Sequence, residues 1–250
     1  MKKKIIIIGI LVIIIAMVFV GYLFKQSNQE TEDDKIVLVT EAGFAPYEYY
    51  ENGEIVGIDI DIANEIAKEL GKELEIKDVN FDNVLNEVKF GNADFAAAGL
   101  SITEERLQEV DFSKEYTVTK QVIVALADSD INSPDDLHGK SVSVQVGGLP
   151  DIYLPEEYPD AEIINTNSIS ASVEDVVSGK ADCMILDALP AEEIVKENPN
   201  LKVIEEPVIE SSFGIAVKKG NTELLEKMNQ VIDKLISEGK IDEFTMNHTK

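Results

Sequence analysis

The stretch AAAGLSITEERLQEVDF, residues 96–112, passes from a run of small apolar residues into a short charged segment and holds the only arginine of the 250-residue chain. It continues the strand-like ADFAAAG, so GLSITEER lies at a strand's carboxyl end, where open α/β sheets bind ligands. Thr103 is placed to cap a short helix, and Glu104 and Glu105 suit the dipole of its first turn. Arg106 does not suit it, since a cation there costs on the order of 0.3–1 kcal/mol. One compensation is local pairing with Glu104, Glu105 or Glu109. The other is a carboxylate gripped by two parallel N–H groups of the planar guanidinium, a geometry that lysine's point charge cannot reproduce.

Working outward, short β-branched runs alternate with amphipathic segments, the pattern of an α/β fold with helices packed on a largely parallel sheet. Upstream, KIVLVT reads as a strand, YYENGEIVG as a hairpin turning at Asn52-Gly53, and DIDIANEIAKELG as a helix stopped at Gly71 with Ile60, Ile62, Ile66 and Leu70 on one face. LEIKDV is a strand and DNVLNEVKFG a helix. Downstream come strand TKQVIVALA, helix SPDDLHG, strand KSVSVQV, a helix near PDIYLPEEY, strand AEIINT, helix SVEDVVSG, strand DCMILD and helix ALPAEEIVKE. Strands LKVIEE and SSFGIAVKK and a long helix TELLEKMNQVIDKLISEG complete the series, with no repeat at a fixed period.

Acidic residues outnumber basic ones 48 to 22, a net charge of −26, while 44% of the chain is apolar. Such a chain builds real cores and disfavours nucleic acid and anionic lipid as partners of its folded part; cationic or zwitterionic ligands suit it better. The single cysteine, Cys183, lies in the apolar run ADCMILD and reads as a buried, inert thiol. At the N-terminus, Lys2, Lys3 and Lys4 precede an uncharged run from Ile5 to Phe24, roughly the 20 residues that cross a bilayer. Residues 1–24 are expected to be a membrane anchor or signal segment, an uncleaved anchor being favoured, with the remainder of the chain on the outer face. No cysteine directly follows the run to carry lipid there, and residues 25–34 read as a flexible tether.

TEAGFAPYEYYENGEIVGIDIDIANEIAKELG, FDNVLNEVKFGNADFAAAGLSITEERLQEVDFSKEY, GKSVSVQVG and ADCMILDAL, in that order and spacing, resemble the family 3 extracellular solute-binding proteins, the amino-acid receptors of ABC importers. The resemblance covers Lys35 to about Asp242, and the segment around Arg106 is its most specific part. It implies the type II periplasmic-binding fold, two α/β lobes joined by two hinge-crossing strands. Residues 35–115 and 214–250 are then lobe 1, residues 121–209 lobe 2, and residues 116–120 and 210–213 the hinges.

The resemblance also implies roles. Arg106 takes an amino acid's α-carboxylate, Asp187 its α-ammonium from the opposite lobe, and Ser101 with backbone N–H groups near Gly99 and Ser101 shares the charged ends. Plainer readings remain, a capping hydroxyl for Ser101 and a helix cap for Asp187. Phe44 and Phe81 match positions that wall the ligand, though each also suits a core. Glu41 matches a position whose acid contacts a polar or cationic side chain in some basic-amino-acid receptors, which with the negative charge tilts the expectation to a polar or basic amino acid.

VGGLP departs from the pattern, having no hydroxyl where many relatives carry a Thr-rich turn; the N–H groups of Gly148 and Leu149 are the expected substitutes, and Pro150 suits the first turn of a helix. DEFTMNHTK also lacks the usual aromatic close. The partners implied are a free amino acid and the permease subunits of an importer, for a monomer on the extracytoplasmic face of a bacterial membrane, or secreted or periplasmic if the N-terminal segment is cleaved. A ligand-sensing ectodomain acting with a signalling partner is one alternative. A cyclohexadienyl dehydratase-like enzyme is another, disfavoured because His138 and His248 sit at a helix end and in the tail and no spacing suggests a metal. No catalytic residue, cofactor or metal is expected.

Overall fold

Along β1 (Lys35–Thr40) successive side chains turn to opposite sides, Ile36 and Leu38 entering one apolar core and Val37 and Val39 another. A strand buried on both faces needs helices on both faces. The chain supplies them in a computed structural model that describes residues 34–249, so the expected anchor (1–24) and nearly all of the tether lie outside the described residues.

After β1 come hairpin strands β2 (Tyr49–Glu51) and β3 (Glu54–Val56), helix α1 (Ile58–Glu69), β4 (Glu73–Asp78), α2 (Phe81–Phe90), β5 (Phe95–Ala96), α3 (Glu104–Glu109) and β6 (Val110–Phe112). The hairpin turns at Asn52 and Gly53, whose φ angles of 53° and 88° are the paired left-handed values of a type I′ turn. The first sheet has the order β4-β1-β5-β12-β6, where β12 is Ala216–Lys218. Ile62 and Ile66 of α1, with Met228 and Ile232 of α7 (Thr222–Ser237) and Ile241 of α8 (Lys240–His248), cover one face; Val84 and Val88 of α2 cover the other.

The second sheet repeats the design with β7 (Thr117–Leu126), β8 (Ser141–Gln145), β9 (Glu162–Thr166), β10 (Cys183–Asp187) and β11 (Leu201–Phe213), in the order β11-β7-β10-β8-β9. On β10, Cys183 and Ile185 face a core closed by Leu154 of α4 (Leu149–Glu157). Met184 and Leu186 face one closed by Val176 of α5 (Ile169–Val177) and Ala191 of α6 (Ala188–Glu197). SPDDLHG, read as a helix, makes only a 3-10 turn over Pro134–Leu137.

Both sheets are mixed rather than largely parallel. Strands β4, β1 and β5 are parallel, as are β9, β8 and β10, but β12 runs antiparallel to β5 and β6, and β7 antiparallel to β10 and β11. The reversals belong to the two passages of the chain between sheets, β7 leaving the first and β11 leading back to it. These crossing strands pair from Thr117 with Phe213 to Gln121 with Ile209, then shift register before Ile204 meets Ile123. The sequence pattern divides this segment into LKVIEE and SSFGIAVKK around Pro207. Strand β11 instead runs through it, because Pro207 falls in the register shift, where no ladder N–H is required. Among the described residues no helix is long and apolar enough to cross a membrane.

Candidate functional site

Between the two sheets lies a narrow cavity lined by residues of both. All nine residues singled out in the sequence line it: Glu41, Phe44, Phe81, Gly99, Ser101, Arg106, Gly148, Leu149 and Asp187. They arrive from strand ends. Glu41 succeeds β1, Gly99 and Ser101 succeed β5, Gly148 and Leu149 succeed β8, and Asp187 ends β10. Phe81 opens α2, and Arg106 lies in α3.

Arg106 is 5% exposed. Thr103 caps α3 as expected, its hydroxyl accepting the Arg106 backbone N–H at 3.2 Å. The guanidinium does not hydrogen-bond the neighbouring glutamates. Its Nη1 donates to the Ser101 carbonyl at 2.7 Å, its Nη2 crosses to the Gly147 carbonyl at 2.8 Å, and its Cζ lies 5.8 Å from the centre of the Phe81 ring. Burial lowers its pKa to about 10, with Asp187 and Glu105 opposing, so it stays cationic at neutral pH. Both bonds go to carbonyls rather than to a counter-ion, which leaves the charge itself uncompensated by a paired side chain and turned to the cavity.

Asp187 supplies the opposite charge. It starts α6 but makes no side-chain capping bond, which removes the capping account of an acid at this position. Its Oδ1 is buried and has no hydrogen-bond partner among the described residues. Burial pushes its carboxyl up to about 7, opposed by hydrogen bonds from Gln121 and Thr119 and by the Arg106 charge. Glu41 is likewise raised to about 7 by burial, against a hydrogen bond from Gln145 Nε2 at 3.1 Å that reaches across from β8.

Two expected backbone donors are committed elsewhere. Gly99 N–H donates to Asp59 Oδ2 at 2.9 Å, and Gly148 N–H to the Gln145 carbonyl at 3.0 Å. Gly99 therefore meets the cavity with the rest of its backbone, and Gly148 shapes the turn before α4. Leu149 is the first residue of that helix, where an N–H has no intrahelical acceptor. Ser101 is buried beside Ser211, their hydroxyl oxygens 3.5 Å apart. Phe44 lies directly over Gly99, whose φ is +54°; a Cβ there would stand 2.6 Å from Phe44 Cε1.

Sequence reasoning missed Gln121, Gln145 and Ile169, which line the same cavity. The glutamines had a readable signal, each being a polar residue in an otherwise apolar strand, TKQVIVAL and SVSVQ. Ile169 had none, since an isoleucine opening an amphipathic helix reads as core. Of the residues set aside, Cys183 is buried, with its thiol raised to about 12 by burial. His138 pairs with Asp160, and His248 bridges Tyr49 and Asp61.

The chain as a whole has known relatives. The arginine-binding extracellular protein ArtP of Bacillus subtilis is 31% identical over 222 residues, 87% of each chain. The crystal structure of the amino-acid ABC transporter substrate-binding protein AbpA from Streptococcus pneumoniae, bound to L-arginine, superposes with a TM-score of 0.83 at 31% identity, covering 87% of this chain and 95% of that one. An ancestral arginine-binding protein bound to glutamine gives 0.81 at 35% identity over 86% and 97% of the two chains. Residues 36–249 match the family described as bacterial extracellular solute-binding proteins, family 3. On that match, and with two sheets joined by paired crossing strands around a charged cavity, the chain belongs to the family 3 bacterial extracellular solute-binding proteins.

Proposed function

We propose that this protein is the substrate-binding receptor of an ABC importer and captures a basic amino acid, arginine before lysine or glutamine, by closing two lobes on it. The observation that carries the reading is the convergence of Arg106, Asp187 and Glu41 on one cavity. Arg106 receives the α-carboxylate, whose two oxygens match the guanidinium fork. The unpartnered Oδ1 of Asp187 receives the α-ammonium. Glu41, held by Gln145, is left for a distal cation, and a guanidinium offers it more donors in a fixed plane than an ammonium does. Phe44 and Phe81 supply apolar walls for the aliphatic stem.

Charge around the cleft favours the same class. Asp82, Glu105 and Asp151 line one flanking groove and Glu197 the other, while Glu109 and Glu193 there are paired with Lys89 and Lys196, so a cation approaches through a net negative field. The lobes in this reading are residues 35–115 with 214–250, and 121–209, hinged at 116–120 and 210–213. The receptor works as a monomer, is held at the extracytoplasmic surface of the membrane by its first 24 residues and hands its ligand to permease subunits; we assign it no catalytic residue.

Calorimetric titration of the purified chain with arginine, lysine, ornithine, glutamine and glutamate tests the reading. Arginine is expected to bind most tightly and glutamate not measurably. Preference for glutamate, or no heat with any amino acid, would overturn it.

A further inference from the structure

Apart from the groups assigned to ligand, the molecule buries a second acidic pair. Glu48 is 1% exposed and Asp59, in the first turn of α1, 0%. Two carboxyls this close do not both ionise. Glu48, whose buried Oε2 has no hydrogen-bond partner among the described residues, is pushed well above the usual carboxylate range, first by burial and next by the charge of Asp59. Asp59, raised to about 6 by burial, is the member that holds the charge, because each of its two oxygens accepts a hydrogen bond.

That charge joins two places. Asp59 Oδ1 accepts the Tyr116 hydroxyl at 2.6 Å, and its Oδ2 accepts the Gly99 backbone N–H at 2.9 Å. Gly99 lines the cavity, whereas Tyr116 immediately precedes β7 and donates its own N–H to the carbonyl of Phe213, the last residue of β11. An aromatic chain takes the same route from cavity to crossing strands. Phe44 stacks on Tyr47 at 5.7 Å, Tyr47 meets Phe213 edge-on at 5.0 Å, and Phe213 lies 6.3 Å from Tyr116. Stability alone is a poor account of the arrangement, because well-packed apolar residues of similar volume commonly serve as well as buried charge or better.

We propose that Asp59 is a positioning residue for ligand capture, fixing the Gly99 peptide of the cavity wall to Tyr116 at the root of the crossing strands so that wall and hinge move as one body. Its consequence for affinity rests on the amino-acid-receptor reading; the link itself does not.

The test uses the full chain carrying Tyr116→Phe, Asp59→Asn or both, with arginine as the probe. Tyr116→Phe keeps the ring and deletes one donor, while Asp59→Asn keeps an acceptor for Gly99. Each is expected to weaken arginine at least about tenfold, chiefly through faster dissociation, and the double variant to lose less than the product of the two because both break one link. A lowered melting temperature with affinity within about twofold of the parent chain in both variants would make Asp59 merely structural and sink the proposal. If Asp59→Asn does not fold, Tyr116→Phe decides alone. Hydrogen exchange at the Gly99 amide supplies a readout that needs no ligand, expected to be at least about tenfold faster in Tyr116→Phe. Unchanged exchange contradicts the link. A parent chain that binds no amino acid while Gly99 exchange responds refutes the receptor reading alone.

Discussion

At Arg106 the roles of charge and shape can be separated. Lysine preserves the charge but cannot donate to the Ser101 and Gly147 carbonyls while meeting a carboxylate with two parallel bonds. Arg106→Lys is therefore expected to weaken arginine by about 1.5–3 kcal/mol, roughly ten- to a hundredfold, in calorimetry. A second prediction concerns protons. Asp187 and Glu41 are both held near pH 7 by burial and must ionise to meet a cation, so binding expels protons. Affinity should climb from pH 5.5 to 8, by at most about tenfold per pH unit for each proton released. For the ligand-free fold the sign is opposite. These folded pKa values lie above the unfolded carboxylate range, so their contribution is fully present below that range and is lost as pH rises through about 7. Melting curves at pH 5 and 8, with and without arginine, should therefore diverge. The sequence marked Arg106 because a charge in an unfavourable place needs an explanation, and Asp187 through the family resemblance. Asp59 escaped, because an acid in a first helical turn is already explained by the dipole, and only the fold shows it to be buried.

Among the elements, the loop from β5 to α3 is the most tightly specified, since Gly99 combines a left-handed φ with the overlying Phe44 ring. Gly99→Ala adds a methyl group where none fits. It should cost at least about 1 kcal/mol from backbone conformation alone, a fall in melting temperature of roughly 2–4 °C, and should weaken arginine as Phe44 is displaced. Helix and strand identities were legible where periodicity was strong, as in α1 and β10. They failed where a local signal outweighed the tertiary one: LKVIEE and SSFGIAVKK read as separate strands although a bulge carries the first onward into SSF, and SPDDLHG read as a helix where a single 3-10 turn suffices. Strand β6 had no signature of its own, because three residues forming an edge beside β12 carry too short a pattern to detect.

For the whole molecule, a net charge of −26 and carboxylates along both grooves set the approach of ligand. Raising salt from 20 to 500 mM shrinks the reach of that field from about 20 Å to about 4 Å. The association rate for arginine should then fall several-fold in stopped-flow traces, while glutamine, with no net charge, should change little. The α/β class was legible from the alternation, and two sheets rather than one were expected only through the family resemblance; the antiparallel members of each sheet were not legible, because they arise from the chain's double passage rather than from any local pattern.

The lone cysteine has a practical consequence. With Cys183 sealed in the core of the second sheet and its thiol raised to about 12, thiol-directed dyes find nothing to react with on the native protein. A cysteine placed at Val118, 72% exposed on a crossing strand, would then take a fluorophore at that one position. The fold is in this respect already prepared to become an optical reporter of its own ligand.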